Sequence, residues 1–391
     1  MPSRQARWMG VGSSADPDSA VGGAAAATQA RAGDRADAQL VVVFASEQHD
    51  LPVLLSAIRG VTGSGALIGC STAGEIATGG PADASVVVVA LGGEGFAVAT
   101  SVARDVSADL HAAGVQAAAG LQAVSDRPHR LLMLLSDGLA GDQQEIIRGA
   151  YAAAGATVPL VGGCAGDDGH MHATHQFYNH EVLTDSVVSA AIGSDGPVGV
   201  GVRHGWRRVG ESILVTGSAG NRVHELDDRP ALDVYLERFD APPAAYTEHA
   251  AFSAFAQTHP LGVGLRGDED EVRFVADADF AERSLICIAE VPQGALAWLM
   301  EGDIQSVLDA TDAACQHALE KLGGRTPVGL LAFDCVARKG VLGVDTREEV
   351  ARVATHAAGA PVAGFYTYGE FARTRGTSGF HNQTLVVLAL G

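Results

Sequence analysis

GCSTAGE, residues 69–75, and GFYTYGE, residues 364–370, decide the fold: in each an apolar run meets a glycine, and a second glycine is followed at once by an acid. Two looser copies stand between them, Gly162 to Gly166-Asp167 (GGCAGD, one residue shorter) and Gly262 to Gly267-Asp268 (GVGLRGD). Successive first glycines are 93, 100 and 102 residues apart. That spacing is domain-sized, beyond the roughly 20–50 residues of a solenoid repeat, and reads as duplication of one module. With 49 glycines and 46 acids in 391 residues, about one chance match to so loose a pattern is expected, so context carries the claim. Three copies share a longer frame, in which an apolar run (LVVVFAS at 40–46, LLMLLSD at 131–137, LLAFDC at 330–335) precedes a helical stretch, a second apolar run and the glycine pair. The copy at Gly262 lacks a clear preceding strand and helix.

Working outward, the pattern predicts a strand at WMGVG and a helix over 17–32, with Asp16 as cap and Pro17 in its first turn. A strand at 40–45, a helix at 50–60, a strand at 66–70 and the strand VVVVAL at 86–91 follow. Fully apolar runs rich in Val and Leu are what strands covered on both faces look like. The second module predicts a helix within 107–123, the strand LLMLLSD, a helix at 142–154 and the strand VPLVGGC. A hairpin then pairs 171–178 with 185–192 across Asn179-His180, where Asn tolerates positive φ. Turn residues near 195–200 mark a break. Beyond it come strands at VGVGV and SILVTGS, a helix from about 228, an irregular connection over 240–260, a strand pair (RFVADA with LICIAEV) and an amphipathic helix at 303–322. The closing stretch, GLLAFDC to LVVLAL, repeats the first frame. The expected class is α/β, with layered mixed sheets and helices in two related halves arising from internal duplication.

A chain of 391 residues that is 47% hydrophobic buries a sizeable core in two or three domains. A formal charge of −20 with only 26 basic residues argues against nucleic acid and anionic membrane surfaces, which need clustered Lys and Arg. Cys70, Cys164, Cys287, Cys315 and Cys335 form no C-x-x-C pair and are odd in number, which fits reduced thiols in a cytoplasm. Cys70 and Cys164 read as buried small hydrophobes. No apolar segment approaches the roughly 18 residues of a membrane span, and the first residues lack the apolar core of a signal peptide.

GCSTAGEI in the first half, with AGFYTYGEF and FHNQTLVVLAL at the end, resembles the FIST family, the F-box and intracellular signal transduction proteins, in its bacterial stand-alone form. The resemblance implies an N-terminal strand and helix over 1–37, a FIST N-terminal domain over 38–225 and a FIST C-terminal domain over 226–391. It also implies a sensory role: binding a small ligand and regulating a signalling partner such as a histidine kinase. Some members with this layout are similar to haem-based nitric-oxide sensors, so haem enters as a cofactor only through the family.

The residues themselves allow structural and functional readings. Tight glycine turns either close a strand end or bring backbone donors and an acid to a ligand. The candidate ligand residues are Cys70, Thr72, Gly74, Glu75, Tyr366, Thr367, Tyr368, Gly369 and Glu370. Acids there repel phosphate, and no Lys follows the second glycine as in a P-loop, so an ammonium group or neutral polar edge fits better, an amino acid being one example. Tyr366 and Tyr368 share a face if the strand continues, and either wall a pocket or pack between the halves. His170, His172, His175 and His180 are dense enough to suggest metal, yet His170 and His172 face opposite His175 in an extended strand, so exposed hairpin side chains are expected and no metal site. His204, with Arg207 nearby in GVRHGWRRVG, is the candidate haem ligand, against a turn with a solvated basic edge. His381 and Asn382 read as strand-end polar groups. No persuasive catalytic set is present: Cys70 and Ser71 do not form a G-x-S-x-G elbow, and Asp137 and Asp334, ending equivalent strands, read first as caps. A hydrolase is the remaining alternative.

Overall fold

A computed structural model describes residues 6–31, 37–264, 271–373 and 379–391. The four apolar runs at the start of the chain become the strands of a βαβαβ unit and its closing strand. Trp8–Ser14 is a strand, Ser19–Ala30 a helix, Leu40–Ala45 a strand, Leu51–Thr62 a helix and Ala66–Ser71 a strand, before Val86–Gly92 closes the sheet. Asp18, not Asp16, caps the first helix, accepting from the Ala20 and Val21 N–H groups. Leu40–Ala45 runs parallel to Ala66–Ser71 and antiparallel to Val86–Gly92, which in turn pairs antiparallel with Trp8–Ser14. VVVVAL explains its own burial by alternation: Val87, Val89 and Leu91 enter the central core, while Val86, Val88 and Ala90 meet the helices outside.

The same strand order recurs twice. Phe96–Arg104, Ser186–Ser194, His129–Ser136 and Leu160–Cys164 form the second sheet with the same pattern of parallel and antiparallel pairs. Val198–Arg203, Leu385–Leu390, Gly329–Cys335 and Val362–Thr367 form the third. The expectation of two halves thus gives way to three units, because the third is interrupted: residues 206–301 leave it after its first strand and build a separate antiparallel sheet with its own core around Tyr235, Phe252 and Leu261. The strand pair expected there is present, Val275–Asp279 against Ser284–Cys287. The connection over 240–260 contains the helix His249–Ala256. Leu261–Gly264 belongs to this inserted sheet, and Gly267-Asp268 lies outside the described residues.

The inner faces of the three sheets meet in one core, where Phe44 stacks on Phe365 at 4.7 Å and both meet Phe333 edge-on. Helices cover the outer faces. The sheets are stitched together by exchanged hairpins. After its second parallel strand each unit sends short strands to extend a neighbour's sheet: Glu75–Ala77 and Gly80–Ala82 join the third, Glu370–Arg373 and Phe380–His381 the second, and Gln176–Tyr178 and Glu181–Leu183 the first. The ring of exchange is closed. The expected pairing of 171–178 with 185–192 is corrected accordingly. Gln176–Tyr178 pairs with Glu181–Leu183 across Asn179, which does adopt positive φ, whereas Ser186–Ser194 returns to its own sheet.

The first glycine has one physical cause in the three motifs of the α/β units. A Cβ at Gly69, Gly162 or Gly364 would lie 2.2, 1.9 or 1.8 Å from the carbonyl oxygen of Val43, Leu134 or Ala332 on the adjoining parallel strand. Close strand approach, more than turn conformation, demands glycine there.

Candidate functional site

The three hairpins leave their units at corresponding corners, and the register identifies the corresponding residues. Glu75 stands opposite Phe365, Glu370 opposite Gly163 and Gln176 opposite Cys70. Phe365, Gly163 and Cys70 each directly follow the first glycine of their motif, Gly364, Gly162 and Gly69. Gln176 is therefore the second unit's counterpart of the two glutamates, and Asp167 is not. Three residues separate Ser71 from Glu75 and Tyr366 from Glu370, but eleven separate Cys164 from Gln176.

In the first and third units the corner is closed. Glu75 is fully buried; Thr72 Oγ1 donates to its Oε1, and Ser85 donates through N–H (3.1 Å) and Oγ (2.6 Å) to its Oε2. Glu370 repeats this with Thr367 Oγ1 at 2.5 Å and with the Thr384 N–H and hydroxyl at 3.2 and 2.7 Å. Burial pushes both carboxyls up to about 7, against the opposing pull of these hydrogen bonds. Gly74 is held at φ 118°. Ser85 and Thr384 escaped the sequence reading. Their signal was present, since a hydroxyl residue stands at the start of each closing strand, Ser85 and Thr384 directly before it and Ser186 as its first residue.

Of the nine candidate ligand residues, only Tyr368 has appreciable exposure; Cys70, Thr72, Gly74, Glu75, Tyr366, Thr367, Gly369 and Glu370 are buried. The two motifs do meet: the Ala73 N–H donates to the Tyr366 carbonyl at 3.0 Å, and the Tyr366 N–H to that of Gly74 at 2.8 Å. They meet as packing rather than as the walls of a pocket. Tyr366 is sealed in, while Tyr368 reaches the second unit, donating its hydroxyl to Asp167 and accepting from the Gly169 N–H at 2.9 Å. Burial lifts the Cys70 thiol well above its usual range, and Ser71 Oγ is spent on the Gly166 carbonyl and the His175 N–H. Neither is poised as a nucleophile.

The second unit's corner is open. Its longer connection carries Asp167, whose carboxylate gathers the Met171, His172 and Ala173 N–H groups and the Tyr368 hydroxyl; burial works against its ionisation, but these bonds hold it below the usual carboxylate range. The loop so shaped borders a cleft of about 480 Å³, lined among others by Ser107, Asp137, His172, Thr174, Thr184 and Asp185. Asp137 directly follows the strand His129–Ser136, so the cleft lies at the carboxyl end of a parallel strand, the usual place for ligands in α/β sheets. Asp137 Oδ1 accepts from Thr174 Oγ1 and the Leu139 N–H, and its Oδ2 from the Asp185 N–H. Ser107 holds Asp185 through N–H (2.8 Å) and Oγ (2.7 Å). Gln176 donates to Thr174 Oγ1 at 3.2 Å, and its Oε1 is buried without a partner.

The remaining candidates are dispersed. His170 pairs with Glu47 at 2.6 Å, and among the described residues no three metal-ligating side chains gather. His204 Nδ1 accepts from the Trp206 N–H at 2.9 Å, and Arg207 extends along the surface toward Glu301 and Asp303. The cleft beside Arg207 is about 210 Å³ and is not lined by His204, short of the roughly 300–1,000 Å³ typical of ligand sites. These residues do not fit a haem. His381 and Asn382 sit at the hairpin end next to the last strand, with His381 Nε2 2.8 Å from the Ala372 carbonyl.

Three α/β units in a ring, two closed by buried acids and one open, define a mixed α/β protein with a corner cleft of the size ligands occupy. Residues 39–229 match the FIST N domain and residues 231–373 the FIST C domain, so the chain belongs to the FIST family, whose domains are associated with signal transduction. An uncharacterised protein of Mycobacterium tuberculosis is 28% identical over 396 residues, 96% of this chain and 97% of its own length. One of Mycobacterium bovis is 29% identical over 236 residues, 58% of each chain. One of Methanocaldococcus jannaschii is 27% identical over 157 residues, 38% of this chain and 30% of its own. The chain thus spans less than two thirds of the latter two relatives. Among the described residues no helix is long and apolar enough to cross a membrane.

Proposed function

We propose that this chain is a sensory signal-transduction protein that binds a small ligand in the cleft of its second unit and passes occupancy to a signalling partner, a histidine kinase being the class the family resemblance suggests. The observation that carries the reading is the open corner, where Asp137 and Asp185 line a cleft next to Gln176, the buried counterpart of Glu75 and Glu370. Two carboxylates with no lysine or arginine in the lining favour a ligand bearing an ammonium group, such as an amino acid or amine. The cleft loop is also tied to both other units, to Ser46 through Asp168 at 2.6 Å and to Tyr368 through Asp167, which supports a path for occupancy to spread. The shared strand order further supports descent of the three units from one duplicated module.

Thermal-shift screening against amino acids and small amines tests the reading. A stabilising ligand is expected, with the shift lost in Asp137→Asn and Asp185→Asn and retained in Glu75→Gln. A ligand whose shift survives both aspartate changes places binding elsewhere and overturns the proposal.

A further inference from the structure

Where the chain leaves the third unit for the insertion, its backbone is anchored by a buried arginine. Arg338 is fully buried; its Nη1 donates to the His204 carbonyl at 2.9 Å, where the chain leaves for the insertion, and its Nε donates to Asp334 Oδ1 at 2.8 Å. Nη2 reaches Glu349 Oε1, Thr311 Oγ1 at 3.0 Å and the Val307 carbonyl at 3.3 Å. Trp206 and Gln257 complete the joint through the Gln383 backbone carbonyl and side chain, at 3.2 and 2.8 Å. Each acid spends one oxygen on the guanidinium. The others, Asp334 Oδ2 and Glu349 Oε2, are buried with no partner, and the two carboxyls flank one guanidinium, on its Nε and Nη2.

Two ionised carboxylates against one guanidinium would leave a net negative charge in a dry interior, beside Glu370. The other neighbours offer no compensation. The Tyr366 phenol and Cys335 thiol are held neutral by burial, and Lys339 is spent on the Ala73 carbonyl and Asp83. A proton placed between Asp334 Oδ2 and Glu349 Oε2 satisfies both unpaired oxygens and reduces the cluster to one ion pair.

We infer that Asp334 and Glu349 share a single proton, so that the seat of Arg338 is an acid–carboxylate pair and the joint to the inserted domain is a pH-sensitive device. Burial, and then the charge of Glu349, hold the Asp334 carboxyl well above its usual range, with Arg338 opposing. A carboxyl raised on folding contributes stability that is complete below the unfolded value, near 4, and declines as pH rises toward the folded one. Alkaline solution therefore loosens the joint.

An amide mimics the protonated partner, which makes the proposal testable. Asp334→Asn can accept from Arg338 and donate to Glu349, and Glu349→Gln can do the converse. Each single variant is expected to melt within about 2 °C of the parent at pH 7 with a flatter alkaline decline, whereas the double variant leaves Arg338 buried without a counter-ion and melts roughly 6–10 °C lower. Single losses as large as the double overturn the proposal. An infrared readout needs no folded variant at these positions. With Glu75 and Glu370 both replaced by Gln, one protonated-carboxyl band should persist at pH 7, and its absence sinks the shared proton.

Discussion

The corners of the first and third units and the corner of the second are the same piece of topology with opposite outcomes. Where two or three residues join strand to hairpin, a glutamate is drawn into the interior and sealed by a threonine hydroxyl and the hydroxyl residue before the closing strand. Where eleven residues make the join, the glutamate's place is taken by Gln176, Ser186 turns its hydroxyl to the Thr184 carbonyl, and the surplus chain borders a cleft. The lesson is economical. A repeated scaffold supplies equivalent corners, and the longest of the three connections is the one that borders a cleft, with the sheets unaltered.

The sharpest way to break this comparison is to remove the corner residues one at a time. Glu370→Leu strands the Thr367 hydroxyl and the Thr384 N–H and hydroxyl, and is expected to cost about 4 kcal/mol in urea denaturation, against about 1 kcal/mol for Gln176→Leu. Equal losses would mean that the two kinds of corner do not differ. The second effect is pH dependence. With Glu75 and Glu370 raised to about 7, each contributes stability that is complete below about pH 4 and falls by roughly 3 kcal/mol as pH climbs to neutrality. Glu75→Gln should flatten that slope, and Gln176→Glu should add a like one, both visible in denaturation midpoints across pH 4–8. The third concerns the ligand. At a hundredfold excess over Kd, stabilisation of about 2.7 kcal/mol is expected of the parent, to be lost in Asp137→Asn and kept in Glu75→Gln. The smallest is Tyr368→Phe, which removes the hydroxyl shared by Asp167 and Gly169. About 1 kcal/mol should go, with faster hydrogen exchange at Gly169 than at Gly74.

Much of the fold was legible. The strands at 40–45 and 86–91 and the helices begun by Asp50, Asp142 and Asp303 were readable because apolar runs and N-caps are local signals. The candidate site was less so. Asp167 stood in the sequence as the counterpart of Glu75, yet the register gives that role to Gln176, nine residues further on. The Glu75 and Glu370 motifs were legible as special, but not as buried. Nothing in GCSTAGE reveals that Ser85, ten residues away, completes its hydrogen bonds. His204 and Arg207 are close in sequence but diverge, one into the joint and one onto the surface.

By itself the sequence determined the elements, the glycine-acid motifs, the family resemblance and a strongly acidic chain, because each rests on residues near one another or on composition. Only the tertiary structure decided that there are three units rather than two halves, that their hairpins are exchanged in a ring, and that one corner stays open. Those outcomes depend on which distant strands pair and in what register, and backbone hydrogen bonding between strands is nearly blind to the side chains that propensity and periodicity can read.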